Sequence, residues 1–264
     1  GTPPSVAAVG CPPYERSDPD RVVCSTDPPG DTLVLEPRPG TAELPTATVD
    51  CRLENTLDEP FETNFYDWKL HRYADGAWHY LGPYAVPMPL HRLQPGATHV
   101  RRLHVDNTDL ERVAFPTPAE TATEAGEGSV RTAGRHGLGP GAYAVAIRSS
   151  TEGPETMYAA AFTLRGDPVP LVAPATVTDT RRDGDHVEVR VEARHEEPER
   201  HDLTVTRTGD PSREPEPLID EQLYHPRFAG LRAAFAGFED GVSSVTVRGD
   251  DSGISRNLAS GSAP

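Results

Sequence analysis

From Thr46 to Glu54 the chain alternates strictly. Ala47, Val49, Cys51 and Leu53 are apolar, and Thr48, Asp50, Arg52 and Glu54 separate them. A period of two predicts a strand with one buried face. Asn55-Thr-Leu-Asp-Glu-Pro60 supplies turn residues, and the alternation resumes with Trp68, Leu70 and Arg72 against Lys69, His71 and Tyr73. Ala74-Asp75-Gly76-Ala77 reads as a hairpin turn, because Asp-Gly tolerates the positive φ angles of a type I′ turn. Trp78 and Tyr80 then re-enter the sheet. Shorter strands are predicted at Thr32–Glu36, Ala142–Ile147 and Met157–Leu164. In Thr98–Val105 the alternation is imperfect, with Val100 on one face and Leu103 and Val105 on the other.

The connections differ in kind. Residues 1–30 are rich in proline, aspartate and serine and are expected to form a flexible tether, with Val22-Val23-Cys24 its one adhesive spot. Residues 82–90, Gly-Pro-Tyr-Ala-Val-Pro-Met-Pro-Leu, read as an extended edge or crossover. Residues 107–137 show no period and read as a long loop. Residues 166–175 read as a linker. Beyond it, Val187, Val189 and Val191 alternate cleanly, Asp202–Arg207 is a second strand and Val242–Val247 a third. Between them an apolar stripe at the helical repeat predicts a helix at about 227–237, with Pro226 at its start. The expected architecture is mainly β: a β-sandwich over 31–165, then a small α+β domain of β-β-α-β type over 176–248, with 249–264 a disordered tail.

Composition agrees with many turns and short strands. Gly (23) and Pro (28) are abundant and hydrophobic content is 36%, with a mean hydropathy of −0.54. No run approaches the roughly 18 apolar residues of a membrane-crossing helix. Asp and Glu number 41 against 25 Lys and Arg, giving a formal charge of −16, and Lys69 is the single lysine. A hydrated acidic surface with almost no lysine is expected of a halophile, although a GC-rich genome also replaces lysine with arginine. No basic patch is evident to neutralise phosphates, so nucleic acid is not an expected partner.

Three cysteines, Cys11, Cys24 and Cys51, lie in the first fifth of the chain. Ala8-Val9-Gly10 before Cys11 resembles a lipobox, which makes Cys11 the expected lipid attachment site. Cys24 and Cys51 then form an even pair, and a bridge between them would close a loop of roughly 27 residues and contribute about 3–4 kcal/mol. Three unlinked thiols, or a local Cys11–Cys24 bridge with Cys51 in the core, are the alternatives.

Catalytic and metal signatures are weak. His195 and His201 are six apart with Pro198 between, unlike the i, i+4 spacing of a helical zinc site, and read as a charged hairpin tip. His71, His79, Met88 and His91 lack the nearby cysteine of a blue-copper centre. No nucleophile elbow or phosphate loop is present, so neither a metal nor a cofactor is expected, and no catalytic residue is assigned. Trp68, Trp78, Tyr66, Tyr80 and Tyr84 suggest an aromatic platform or ordinary sheet packing. Phe65, Tyr66, Tyr84 and Met88 are the expected exposed binding surface.

Val49-Asp-Cys-Arg-Leu-Glu-Asn-Thr56, Asp75-Gly-Ala-Trp78, Leu93-Gln-Pro-Gly96 and Gly139-Pro-Gly-Ala-Tyr143, in that order, resemble the Ig-like domains of bacterial and archaeal secreted lipoproteins. The whole chain is similar to uncharacterised haloarchaeal lipoproteins. Ala144 stands where that pattern commonly has arginine, and the 107–137 segment is an insertion. The resemblance implies an immunoglobulin-like β-sandwich in a non-enzymatic, extracytoplasmic protein, lipid-anchored or secreted, that binds a protein or surface polymer. A structural component of the envelope or of an extracellular appendage is the alternative, and a hydrolase with an acidic site is a third.

Overall fold

The computed structural model describes residues 6–14, 19–27, 33–84, 86–112, 121–123, 130–149, 154–192, 200–209 and 217–250. It is mainly β. Two compact units divide the chain: Gly1–Asn107 with Pro118–Pro168, and Thr108–Thr117 with Val169–Pro264.

The first unit carries two large sheets. One contains β1 (Arg21–Cys24), β3 (Thr41–Glu43), β6 (Lys69–Ala74), β7 (Ala77–Gly82), β12 (Gly141–Arg148) and β13 (Thr156–Arg165). Its order is β1-β13-β12-β6-β7, with β3 also on β13. The other runs β10-β11-β9-β4-β2, from β2 (Val34–Arg38), β4 (Thr46–Glu54), β9 (Thr98–Asp106), β10 (Thr121–Thr123) and β11 (Val130–Arg135). A two-stranded ribbon pairs β5 (Phe61–Thr63) with β8 (His91–Leu93).

The alternation in β4 is realised as drawn from sequence, with Ala47, Val49, Cys51 and Leu53 all buried. Pro37 is accommodated because β2 is an edge strand, where a missing N–H costs no ladder bond. The β6–β7 hairpin turns through Asp75 and Gly76, both at positive φ (50° and 84°). After β4 the chain is locked by Asn55, which is fully buried. Its Nδ2 donates to the carbonyls of Glu59 (2.9 Å) and Leu93 (2.8 Å), and its Oδ1 accepts from the Leu57 amide (3.1 Å). On β12, Tyr143 donates its hydroxyl to the Gly139 carbonyl four residues back (2.6 Å) and accepts from Arg72 Nε (3.1 Å).

The N-terminal residues depart from the expected tether. Val6–Val9 form a short helix (α1), Tyr14 is buried against Ala146, Met157 and Ala159, and β1 runs parallel to β13. The reason lies in the sheet beneath. Ala142, Ala144 and Ala146 pair with Thr163, Ala161 and Ala159 on one face, and such small side chains let a second layer sit close. Ala144 is thereby fully buried, where an arginine would have no room.

Residues 107–137 also differ from a single loop, because β11 joins β9 in parallel. Its Val130-Arg-Thr-Ala-Gly-Arg135 sequence alternates arginine and alanine inward, so it carries no hydrophobic period.

The second unit is β-β-β-α-β. It comprises β14 (Val177–Asp183), β15 (His186–Val191), β16 (Arg200–Thr206), α2 (Asp220–Leu223), a 3-10 turn at Pro226–Phe228, α3 (Ala229–Ala236) and β17 (Ser244–Asp250). The sheet order is β14-β15-β17-β16. Ala233 and Ala234 of α3 pack on Val187, Val189, Val245 and Val247. The sequence misses β14 because an edge strand anchored through one partly buried valine has little to alternate. The expected 166–175 linker is fastened within this unit: Tyr224 donates to the Pro170 carbonyl (2.6 Å) and accepts from the Val172 amide (3.2 Å). The expected tail at 249–264 begins inside β17, and its remainder lies outside the described residues.

Candidate binding surface

The cysteines settle first. Cys11 and Cys24 form a disulfide with Cα atoms 6.0 Å apart, inside the span a bridge requires. The expected lipid on Cys11 is corrected, since its sulfur is already bonded. The expected Cys24–Cys51 bridge is corrected too. Cys51 is a free thiol on the inward row of β4, completely buried, and burial pushes its ionisation far above the ordinary thiol range.

Beyond the layer formed by residues 6–14 and 19–24, the same sheet face carries aromatic rings. Tyr73 lies opposite Trp78 and His71 opposite Tyr80 across the β6–β7 hairpin. Directly opposed residues of an antiparallel pair share a face. The ring centroids follow one another: Tyr14 to His71 at 5.1 Å, His71 to Tyr80 at 5.2 Å, and Tyr80 to Tyr84 at 5.4 Å, with Tyr73 and Trp78 at 5.4 Å beside them. Tyr73, Trp78, Tyr80 and Tyr84 are half-buried, so each keeps part of its surface open. Tyr80 donates to the Pro83 carbonyl and Tyr84 to the Tyr80 carbonyl (3.3 Å), which fixes both rings. Burial, with Lys69 nearby, lowers His71 to about 3 and keeps it neutral. His71 Nδ1 and the Tyr14 hydroxyl are buried with no hydrogen-bond partner among the described residues.

At the end of this row the chain leaves the sheet as an apolar strip. Met88 is 84% exposed and Leu90 57%, with Pro87 and Pro89 also exposed. The strip is held rather than loose: Asn64 Nδ2 donates to the Pro87 carbonyl (2.7 Å), while Asn64 Oδ1 accepts the Tyr66 amide (2.9 Å). The β5–β8 ribbon places Thr63 opposite His91.

Behind that turn lies a cluster of rings and cations. Phe65 is stacked on His99 at 3.7 Å, with the ring planes 2° apart, and on His91 at 4.8 Å. The Arg131 guanidinium sits 4.0 Å over the Tyr66 ring, a cation–π contact. His99 and Arg101 face inward on β9, and Arg131 on β11. Burial, then the charges of Arg131 and Arg101, hold His99 at about 3. His91 is lowered by the same desolvation and by Arg131.

The four expected surface residues therefore separate. Phe65 is buried (6% exposed), which corrects its assignment, because its ring fills the space between two imidazoles. Tyr66 and Tyr84 are half-buried, and Met88 is fully presented. Sequence missed Arg131, His99 and Arg101. The overlooked signal was the period of two itself, His99-Arg101-Leu103-Val105, which continues through polar residues.

No group of residues suited to a metal occurs among the described residues. His79 is buried against the Ala74 carbonyl (3.2 Å), apart from His71 and His91. The segment 195–199 lies outside the described residues, as does the His201 side chain. No helix among the described residues is long and apolar enough to cross a membrane.

The chain matches no protein-family model and no curated protein. Among solved structures it is similar to Pseudomonas fluorescens alkylpurine DNA glycosylase AlkC bound to DNA containing an abasic site analog. That likeness has 17% identity and a TM-score of 0.26, over 53% of this chain and 32% of that one. The matched structure is of an enzyme, which stands against the non-enzymatic expectation. At that TM-score the likeness carries no argument for a particular reaction.

Proposed function

We propose that this chain is an extracytoplasmic binding module, built on an Ig-like sandwich, that engages a surface polymer of carbohydrate type. The observation that carries the reading is the row of half-open rings on one sheet face: His71, Tyr73, Trp78, Tyr80 and Tyr84. Aromatic rings present large, rigid apolar area with a polar edge, and the opposed pairs of the β6–β7 hairpin hold several of them on one face for a sugar to rest against. The Cys11–Cys24 bridge supports an oxidising compartment, and the acidic, lysine-poor composition suits a solvated exterior. The Tyr143–Gly139 hydrogen bond has the form of the tyrosine corner found in Ig-type sandwiches.

The test is calorimetric titration with neutral hexose and uronate oligosaccharides, using the wild type and a Trp78→Ala/Tyr80→Ala variant whose melting temperature is checked first. Binding that drops about tenfold or more in the folded variant supports the reading, since each aromatic contact is worth about 0.5–1.5 kcal/mol. Equal binding by both proteins, or none by the wild type, sinks it.

A further inference from the structure

Arg131 is 4% exposed, and its Nε is buried with no hydrogen-bond partner among the described residues. Among the described residues no carboxylate pairs with it, although the chain carries 41 acidic residues. Its guanidinium lies over the face of Tyr66. A guanidinium stacked on a ring is neutralised by nothing in that ring, and its N–H donors lie in the plane, directed away from the stack. Around it stand two imidazoles held neutral, His91 and His99, and a second guanidinium, Arg101, which also acts on His99. Two guanidiniums, Arg131 and Arg101, are thus paired in register across β11 and β9 in a chain whose net charge is −16. Burying an arginine without an acid is costly unless something supplies the missing charge. The corner adjoins partly open residues, since Tyr66 and His91 are both half-buried. Tyr66 is in the turn whose Asn64 holds Pro87 of the exposed strip, and Asp67 of that turn pairs with Lys69 (3.0 Å) beside the aromatic row.

We propose that Arg131, oriented by Tyr66, is the recognition site for a carboxylate on an acidic sugar of the bound polymer. This rests on the polymer-binding reading and adds the charge class of the ligand. The planar fork takes a carboxylate in a bidentate manner, while the sugar ring lies against Tyr66, His91 and the adjoining strip.

Two measurements test it on the full chain. In the first, trigalacturonate and trigalactose are titrated into wild type, Arg131→Gln and Arg131→Lys. The acidic trimer is expected to bind the wild type about tenfold more tightly than the neutral one, the size of a charge-assisted hydrogen bond. Arg131→Gln should lose that preference, and Arg131→Lys should recover only part of it. In the second, the Arg131 Nε–Hε resonance of the wild type is followed by NMR, which does not depend on how any variant folds. It should shift with the acidic trimer and stay still with free acetate at the same carboxylate concentration. Equal affinity for both trimers, an unmoved resonance, or tighter binding of hexaglutamate than of the uronate overturns the proposal. Neutral binding that depends on Trp78 and Tyr80 alone removes the acidic-sugar site but leaves the polymer reading standing. No binding of either trimer removes both.

Discussion

Phe65 lies flat on His99, ring planes 2° apart and centroids 3.7 Å apart, so one face of the imidazole is walled by an apolar surface. That contact has a consequence for pH. The native imidazole takes a proton only near pH 3, against an ordinary value near 6.5 in the unfolded chain. Between those values the unfolded state binds more protons, so stability is whole above about 6.5 and falls as pH drops toward 3. The slope is up to about 1.4 kcal/mol per pH unit for each such histidine. His71, lowered to about 3 by burial, adds to it in the same direction. Urea unfolding at pH 7.5 and 5.5 should show the native state weaker at the lower pH, with His99→Gln losing less. A stability that does not change across that window would refute the assignment of neutral, buried imidazoles.

Asn55 holds three backbone groups from inside the core. Its replacement by alanine leaves the Leu93 and Glu59 carbonyls and the Leu57 amide to find other partners. The expected cost is about 2–4 kcal/mol, read from the denaturation midpoint. A midpoint within experimental error of wild type would show that solvent reaches these groups.

Tyr143→Phe removes the donor to the Gly139 carbonyl and the acceptor of Arg72 Nε while keeping the ring. Arg72 retains its bond to the Pro140 carbonyl (2.8 Å), so the loss should be about 1–3 kcal/mol rather than collapse of the hairpin. Chemical denaturation measures it directly.

Cys24→Ser opens a bridge of sequence separation 13 and should cost about 3 kcal/mol. The intact mass of the wild type should rise by about two daltons on reduction, as breaking one bridge adds two hydrogens. Cys51 should resist iodoacetamide until the chain unfolds, because the thiol is fully buried and un-ionised. Alkylation of the native protein at Cys51 would contradict its burial.

Met88→Asp with Leu90→Asp changes two of the most exposed apolar side chains. Stability should stay within about 0.5 kcal/mol of wild type. Polysaccharide binding should weaken if the strip is part of the contact, and an unchanged titration would confine the surface to the aromatic row.

Much of the strand framework was legible in the sequence. β4, the β6–β7 hairpin with its Asp75-Gly76 turn, β12, β13, β15 and the helix near Ala229–Ala236 all announce themselves through local periodicity. β11 and β14 do not, since one buries arginine and the other sits at an edge. The candidate site was legible only in its aromatic members. Trp78, Tyr80 and Tyr84 stood out by type, whereas Arg131 and His99 looked like polar residues of a loop and an imperfect strand.

What the chain settles by itself is the period of its segments and the chemistry of its turns, because side-chain direction alternates along a strand whatever lies opposite. Which face is inward, and what fills it, depends on non-local partners. The alanine face of β12 and β13 is bare until Cys11, Tyr14 and Val22 pack on it. Cys24 meets Cys11 rather than Cys51 because β1 joins the edge of β13 while Cys51 points into the core from the other sheet. Arg131 comes to rest over Tyr66 because a parallel pairing with β9 brings together residues distant in sequence. These are contacts across the sequence, and no local pattern encodes them.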